Sequence, residues 1–365
     1  MRMTLFSKSA LGCLILCACF HVLANDAPFR AWLIDADELA TLDVDEINRQ
    51  HVQQLILSIQ QAPDAQQVVD VKRYQESGIS IWYWIEVARD AELATSHPEW
   101  MASIQGHPEW RRFHTNFPQE KDHQMVKVFP WVPIFYRGAF EAQASKVQKL
   151  LKTWPVSEGV FLNDLQGAPS ACGCGHPLCR WTTDYGPKKT AEQLGHDTPA
   201  RFVQQIQEAF PHLECIPVWT SECEAHDKDG WCAGVGCYGG ACWREWSKQL
   251  EPLSKQCARL GALLTYKDLG RDLDHYNETA GWVSSAISSF QTEMKRYDRS
   301  SVEARRLITV LQGWEVSPEE LAAQIRQSTR SGSGGYVVAK TPVLSQWEPR
   351  LVSLDRLGQS QVETR

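Results

Sequence analysis

The chain has 365 residues and a formal net charge of −7, with its lysines and arginines dispersed along the sequence. This distribution provides no basic stripe for nucleic acid or for an anionic membrane surface, so neither is expected as a partner. The length suffices for one large domain or two ordinary ones.

The N-terminus has the pattern of an export signal. Two basic residues precede the apolar stretch Leu11 to Leu23, and Ala24 supplies a small residue at the expected cleavage point. We therefore predict a signal peptide over residues 1–24 and a periplasmic or secreted mature chain. No later segment is apolar and long enough for a transmembrane helix. The run from Leu16 to Cys19 loosely resembles a lipidation box, so a lipid-anchored form is the alternative.

Short strand-like runs alternate with helix-like stretches through most of the mature sequence. Continuous β-branched and aromatic runs such as Ile79 to Val87 suit parallel strands that are buried on both faces. The predicted strands are Arg30 to Asp35, Leu55 to Ile59, Ile79 to Val87, Gly159 to Leu165, Glu214 to Thr220, Ala262 to Tyr266, Leu307 to Gln312 and Gly335 to Ala339.

Eight strand-then-helix units predict an α/β fold, a closed (β/α)8 TIM barrel over residues 25–350. An open doubly wound sheet is the alternative. Its glycine-rich dinucleotide fingerprint is missing, however, because Asp35-Ala-Asp-Glu38 follows the first strand.

Local signals mark helix starts and the segments outside a minimal barrel. Thr198-Pro199 and Ser317-Pro318 each place a capping hydroxyl before a proline, which predicts two helix N-termini. Residues 88–137 form an insertion after the third strand, in which Phe129 to Tyr136 is either an extra strand or part of the rim. Residues 351–365 are predicted to be a polar tail.

Long cysteine-rich loops are predicted after strands 4 and 5, since eight of the twelve cysteines lie between Cys172 and Cys242. Export makes disulfides the expected state of clustered cysteines. A structural zinc site, with His176 as a further ligand, is the alternative, although the paired C-x-x-C spacing is missing. Cys215 and Cys257 are expected to be buried thiols. The disulfide candidates are Cys172, Cys174, Cys179, Cys223, Cys232, Cys237 and Cys242.

The carboxyl ends of the strands carry the candidate catalytic groups, because a TIM barrel works at that face. Asp164 is the penultimate residue of the fourth predicted strand, and Glu222 follows the end of the fifth by two residues. Adjacent strands lie about 4.8 Å apart, so these two side chains can converge as glycoside hydrolysis requires. We predict Asp164 as nucleophile or ion stabiliser and Glu222 as acid/base. The alternative is that Asp164 caps a turn and Glu222 forms a surface ion pair.

Other strand ends supply the predicted substrate contacts. Indole rings suit the apolar faces of sugars, and Lys267 is expected to be a charge partner of the acids. No metal and no cofactor is predicted, since the histidines form no H-E-x-x-H pattern. The substrate-binding candidates are Asp35, Glu86, Asn163, Trp219, Tyr266, Lys267, Trp314 and Glu315.

Two runs carry a family resemblance. Trp82-Tyr-Trp-Ile-Glu86, followed by a His-Pro-Glu-Trp motif, and Gly159-Val-Phe-Leu-Asn-Asp164 resemble the third and fourth strand ends of amylase-type, glycoside-hydrolase-like TIM barrels. The resemblance covers roughly Phe29 to Thr341 in architecture and is motif-level at these two places. It implies a fourth-strand aspartate nucleophile and a fifth-strand glutamate acid.

The chain departs from the amylase-type pattern at one position, and one of its residue pairs is similar to a pair in a different barrel clan. Leu162 stands where the amylase-type barrels have an arginine, two residues before the aspartate. Asn163-Asp164 is also similar to the Asn-Glu pair of another barrel clan, whose second acid lies on strand seven and would here be Glu315.

The sequence therefore predicts an exported carbohydrate-active protein, a glycoside hydrolase with a carboxylate pair that acts on polysaccharide or oligosaccharide. Two alternatives stand beside it. One is a non-catalytic glycan-binding or cell-surface barrel protein, and the other is a metal or thiol-redox protein centred on the cysteine cluster.

Overall fold

In the computed structural model of the chain, eight parallel strands close into a barrel, which confirms the predicted TIM-barrel architecture. The structure describes residues 28–50, 52–102, 118–119, 124–135, 137–165, 191–220, 243–267, 276, 278–297, 306–342 and 348–353. The barrel strands are β1 (Phe29–Asp35), β2 (Gln54–Ser58), β3 (Ser80–Glu86), β5 (Gly159–Asn163), β6 (Glu214–Thr220), β7 (Leu260–Leu263), β8 (Leu307–Gln312) and β9 (Gly335–Ala339). Strand β9 pairs with β1 and closes the ring.

Two further strands, β4 (Gln124–Phe129) and β10 (Glu348–Ser353), pair with each other outside the barrel. The helices are α1 (Val44–Arg49), α2 (Ala65–Glu76), α3 (Ala91–Ser96), α4 (Arg137–Thr153), α5 (Ala191–Ala209), α6 (Trp243–Gln256), α7 (Gly281–Tyr297) and α8 (Pro318–Arg330), with 3-10 turns at Ala36–Thr41 and Pro98–Trp100. None of the helices in these ranges is long and apolar enough to cross a membrane.

The two predicted helix starts have different outcomes. Ser317 caps α8 as expected, because its hydroxyl accepts a hydrogen bond from the Glu320 amide. The start predicted at Thr198-Pro199 is wrong, since α5 begins at Ala191 and Pro199 lies inside it. A proline removes one backbone hydrogen bond from a helix. Burial of one apolar face, with Phe202 fully inaccessible, offsets that loss.

The side chains of the barrel strands alternate between two apolar layers. The outward layer includes Tyr83 and Leu162 and packs against helix residues such as Tyr74 and Phe202. The inward layer consists of strand residues alone, among them Trp82 and Phe161, and fills the barrel. Packing on both faces explains why these strands read as continuous apolar runs.

Aromatic rings pack against one another in the barrel interior. Trp82 packs edge-on against Phe29 with ring centroids 5.2 Å apart, and Trp84 stacks on Phe161 at 5.9 Å. The Arg259 guanidinium lies 4.8 Å from the Phe29 ring centroid and is held by Glu214. The barrel interior is therefore a packed core.

The insertion after β3 differs from the prediction. The extra strand is Gln124–Phe129, so the first of the two alternatives for Phe129 to Tyr136, that this segment is itself the extra strand, is wrong. Pro130 and Pro133 lack the amide that a ladder needs, which favours ending the strand at Phe129. Residues Leu351 to Ser353, predicted to begin a polar tail, complete β10 because they pair with β4.

Lys127 connects this small sheet to the segment that follows α3. Its side chain is buried, and its amine donates to the backbone carbonyls of Met101, at 2.9 Å, and Glu99. Burial lowers the pKa of Lys127 to about 7, and the nearby Glu99 carboxylate opposes that shift.

The buried amine of Lys127 predicts a pH-dependent stability. The folded state releases this proton near pH 7, whereas the unfolded chain holds it up to about 10.5. The free energy of unfolding should therefore rise through that window, by on the order of 1 kcal/mol per pH unit. Urea denaturation should show that Lys127→Met loses this rise and that Lys255→Met, at an exposed lysine, retains it. Equal pH profiles for both variants would contradict the assignment.

Candidate active site at the carboxyl ends of the strands

A buried ion pair lies at the carboxyl ends of β3 and β5. The Nε atom of Arg89 donates to Oδ2 of Asp164 at 2.6 Å, and both side chains are almost inaccessible. Asp164 follows the last residue of β5 and has φ 60, a left-handed conformation that ends the strand two residues earlier than predicted. Leu162 stands where the amylase-type barrels have an arginine. In this chain Arg89, from the segment after β3, is the cation that pairs with Asp164.

Glu86 is a second carboxyl group in the same cluster. It is the last residue of β3, pairs in register with Asn163 of β5 and is 5 % exposed. Its Oε1 atom accepts from the Trp84 indole at 2.5 Å, and the Asn163 amide donates to both carboxyl oxygens, at 3.1 and 2.9 Å. These hydrogen bonds hold the carboxyl group in one orientation.

The environment of Glu86 favours its protonated form. Burial and the neighbouring Asp164 carboxylate raise the pKa of Glu86 to about 8, although Arg89, Trp84 and Asn163 all act to lower it. Below that pH the site contains an ion pair, Arg89 with Asp164, beside a neutral carboxylic acid. Two carboxyl groups held in opposite protonation states are the pattern of acid/base chemistry.

The strand period explains why these residues meet. Trp82 and Trp84 belong to the interior layer, so Glu86, two residues further on, projects to the same side of β3. Asn163 follows Phe161 in the same way on β5. Sequence reasoning therefore places Glu86 and Asn163 together at the working face.

A second polar group forms at the ends of β7 and β8. The Gln312 side chain accepts from the Tyr266 amide at 3.1 Å and donates to the Trp314 carbonyl at 3.0 Å. The Lys267 amine donates to the Glu315 backbone carbonyl and lies 3.9 Å from its carboxylate. The predicted role of Lys267 as a charge partner is thus realised with Glu315, whose side chain is exposed.

The remaining substrate-binding candidates differ in position. Asp35 is exposed at the end of β1, where its carboxylate caps the following turn through the Asp37 amide. Trp314 is partly buried and packs against the interior layer. Trp219, expected to contact substrate, is fully buried in the outward layer against the helices. The prediction at Trp219 therefore fails, because neighbouring residues on a strand face opposite sides.

Several predicted residues lie outside the described ranges. They are Glu222 and all seven disulfide candidates: Cys172, Cys174, Cys179, Cys223, Cys232, Cys237 and Cys242. Cys215 and Cys257 are buried free thiols, as predicted. Burial raises the pKa of Cys215 to about 12, so the thiol is unreactive near neutral pH. Within the described ranges, no cluster of three or more His, Cys, Asp or Glu side chains could hold a metal.

Arg89 and Gln312 are the site residues whose contacts sequence reasoning missed. Gln312 is the last residue of a predicted strand, and this position could have indicated that it belongs to the site. Arg89 follows β3 by three residues and belongs to no motif, and its role depends on a contact with a residue 75 positions away.

Comparisons with known proteins find distant structural neighbours only. No protein-family model and no curated protein sequence matches the chain. The β-galactosidase of Rahnella sp. R3 has 10% sequence identity over 87% of this chain and 51% of its own, with a TM-score of 0.49. A chitinase-like agglutinin from Robinia pseudoacacia has 9% identity over 92% of this chain and 99% of its own, with a TM-score of 0.45.

An HpcH/HpaI aldolase from Desulfitobacterium hafniense DCB-2 is also similar, with 10% identity, 86% coverage of each chain and a TM-score of 0.36. The chain spans about half the length of the Rahnella enzyme.

The protonated state of Glu86 predicts a second pH effect on stability. In the folded state this carboxyl keeps its proton up to about pH 8, whereas in the unfolded chain it loses the proton near 4.5. The free energy of unfolding should therefore fall as the pH rises through this window. Glu86→Gln, which cannot ionise, should lose that fall in urea denaturation, and Glu76→Gln, at an exposed position, should retain it. A wild-type profile in Glu86→Gln would show that Glu86 is ionised in the folded state.

Proposed function

We propose that the chain is an exported glycoside hydrolase that acts on polysaccharide or oligosaccharide, with Asp164 as the reacting carboxylate and Glu222 as the acid/base. The observation that carries the proposal is the pair of buried carboxyl groups, Glu86 and Asp164, at the carboxyl ends of adjacent barrel strands, with Asp164 bound to Arg89 and Glu86 held by hydrogen bonds from Trp84 and Asn163. This is the face at which barrel enzymes work.

The proposed reaction uses one proton donor and one carboxylate. The acid, Glu222, gives its proton to the glycosidic oxygen as the bond from that oxygen to the anomeric carbon breaks. The Asp164 carboxylate attacks the anomeric carbon or stabilises its positive charge. One water molecule then adds to that carbon and returns a proton to the site, so the net change is one glycosidic bond exchanged for two hydroxyl groups.

Glu86 contributes to this scheme as a neutral neighbour. With its proton in place it can lie beside the Asp164 carboxylate without the repulsion that two anions would impose. The hydrogen bonds from Trp84 and Asn163 fix its position. We therefore assign Glu86 to supporting the charge state of Asp164, or to direct hydrogen bonding of the substrate.

The burial of Asp164 requires that covering residues move before a substrate can reach it. It also favours a second candidate function, glycan binding without catalysis. The Asp164 carboxylate is 0 % exposed, so a sugar can reach it only if the covering residues move. An aspartate that stays sealed with Arg89 would be structural. In that case the exposed strand ends, with Trp314 partly buried beside the interior layer, would form a non-catalytic glycan-binding face.

Two substitutions test the hydrolase proposal. Asp164→Asn and Glu222→Gln should each lower the hydrolysis of a responsive polysaccharide by about a hundredfold or more, since each removes a group that acts in the transition state. Asp45→Asn, at an exposed position outside the cluster, is the matched control. Release of reducing ends, measured across a polysaccharide panel, is the readout, and circular dichroism verifies folding.

The result that overturns the proposal is full hydrolytic activity in both variants. Asp164→Asn leaves Arg89 without its partner and so carries a stability cost of its own. If Asp164→Asn does not fold, the activity of Glu222→Gln still decides the test. Binding of a polysaccharide by the wild-type chain without any release of reducing ends would support the glycan-binding alternative instead.

A further inference from the structure

We propose that the sheet formed by β4 and β10 is a functional part of the working face, because it holds Trp131 over Arg89 and so positions the guanidinium that pairs with Asp164. This inference rests on the proposed function, since it assigns positioning residues to the same site. It concerns a segment far from Asp164 in sequence, including the strand Glu348–Ser353 near the end of the chain.

The contact between Trp131 and Arg89 is direct. The guanidinium carbon lies 4.7 Å from the centroid of the Trp131 ring, and both side chains are buried. A cation over an indole face is attracted electrostatically, and more strongly when water is excluded. Arg89 is thus held by the Asp164 carboxylate and by an aromatic face.

Backbone hydrogen bonds fix the two segments together. Arg89 and Trp131 form an isolated antiparallel bridge. On one side of it the Asp90 amide donates to the Pro130 carbonyl at 3.0 Å, and on the other the Val132 amide donates to the Ala88 carbonyl at 2.7 Å. The backbone of Trp131 is therefore fixed next to the backbone of Arg89.

The small sheet in turn holds Trp131. The Trp131 amide donates to the carbonyl of Val128 in β4 at 2.9 Å. Val128 pairs with Pro349 of β10. Val352 of β10 is buried in an apolar cluster with Met101 and Val132, next to Trp131 in the chain. The packing of Val352 in β10 therefore extends to Val132, next to Trp131, which covers Arg89.

Arginine needs this support because its side chain has many rotamers. Ordering such a side chain costs conformational entropy, and a buried carboxylate left by its partner is strongly disfavoured. A rigid aromatic face restricts the guanidinium to the geometry that keeps Asp164 paired. Trp131 is accordingly a positioning residue that acts through Arg89.

The Nε–H group of Arg89 reports this positioning without any substrate. Its nitrogen donates to Asp164 in a buried site, so its NMR cross-peak should exchange slowly with water. Arg89→Lys assigns the peak by its loss. Trp131→Leu should accelerate the exchange by about tenfold or more, because the opening of the pair becomes easier. Trp131→Phe, which keeps an aromatic face, should restore most of the protection.

Trp154→Leu is the matched control, since Trp154 is equally buried but packs on Tyr83 in the outward layer. Equal exchange rates in Trp131→Leu and Trp154→Leu would overturn the proposal. If Trp131→Leu does not fold, the comparison of Val352→Ala in β10 with Val71→Ala in α2 replaces it, as both valines are buried. We expect faster Arg89 exchange in Val352→Ala alone, and equal rates would again overturn the role of the sheet.

Kinetics separate this proposal from the proposed function. With a responsive polysaccharide, Trp131→Leu and Val352→Ala should lower kcat more than they change KM, and Trp154→Leu should leave both near the wild-type values. A wild-type chain that releases no sugar ends the hydrolase proposal but leaves the exchange result standing. Fast exchange in Trp131→Leu together with unchanged kcat would show that Trp131 positions Arg89 without serving catalysis.

Discussion

The ion pair between Arg89 and Asp164 is the interaction on which the working face depends. Two charges out of water are tolerated only when they are paired and hydrogen-bonded. That requirement explains the surroundings: an aromatic face over the guanidinium, a left-handed turn that brings Asp164 to it, and a neutral Glu86 beside it. With Glu86 protonated, the cluster carries no net charge. Loss of that proton above about pH 8 leaves one uncompensated negative charge in the cluster.

The packed barrel makes this arrangement possible. Trp82 and Phe161 fill the interior, and Trp84 connects that core to the site because its ring stacks on Phe161 while its indole donates to Glu86. A close-packed interior transmits positional constraint, so the orientation of Glu86 is set by the aromatic column beneath it. The same column confines any ligand to the carboxyl ends of the strands.

The site is assembled from parts that are distant in the chain. Strands β3 and β5 supply the acids, the segment after β3 supplies the cation, and the sheet of β4 and β10 lies behind Trp131. We therefore expect substitutions in β10 to affect the pairing of Arg89 with Asp164. In our proposal, the insertion after β3 supports the cluster at the carboxyl ends of the strands.

The sequence by itself determined the eight barrel strands, the capped start of α8 and the position of Glu86, Asn163 and Asp164 at the carboxyl ends of neighbouring strands. These features follow from local periodicity, capping chemistry and the rules of parallel sheets. It misplaced the start of α5, because tertiary packing overrides the local proline signal there, and it misplaced the extra strand, which ends before Pro130. Only the tertiary structure decided that Trp219 faces the helices, that Arg89 pairs with Asp164 and that β10 supports Trp131. Such contacts depend on which face of a wholly apolar strand turns inward and on the approach of side chains that are distant in sequence, and the local pattern of these strands leaves both open.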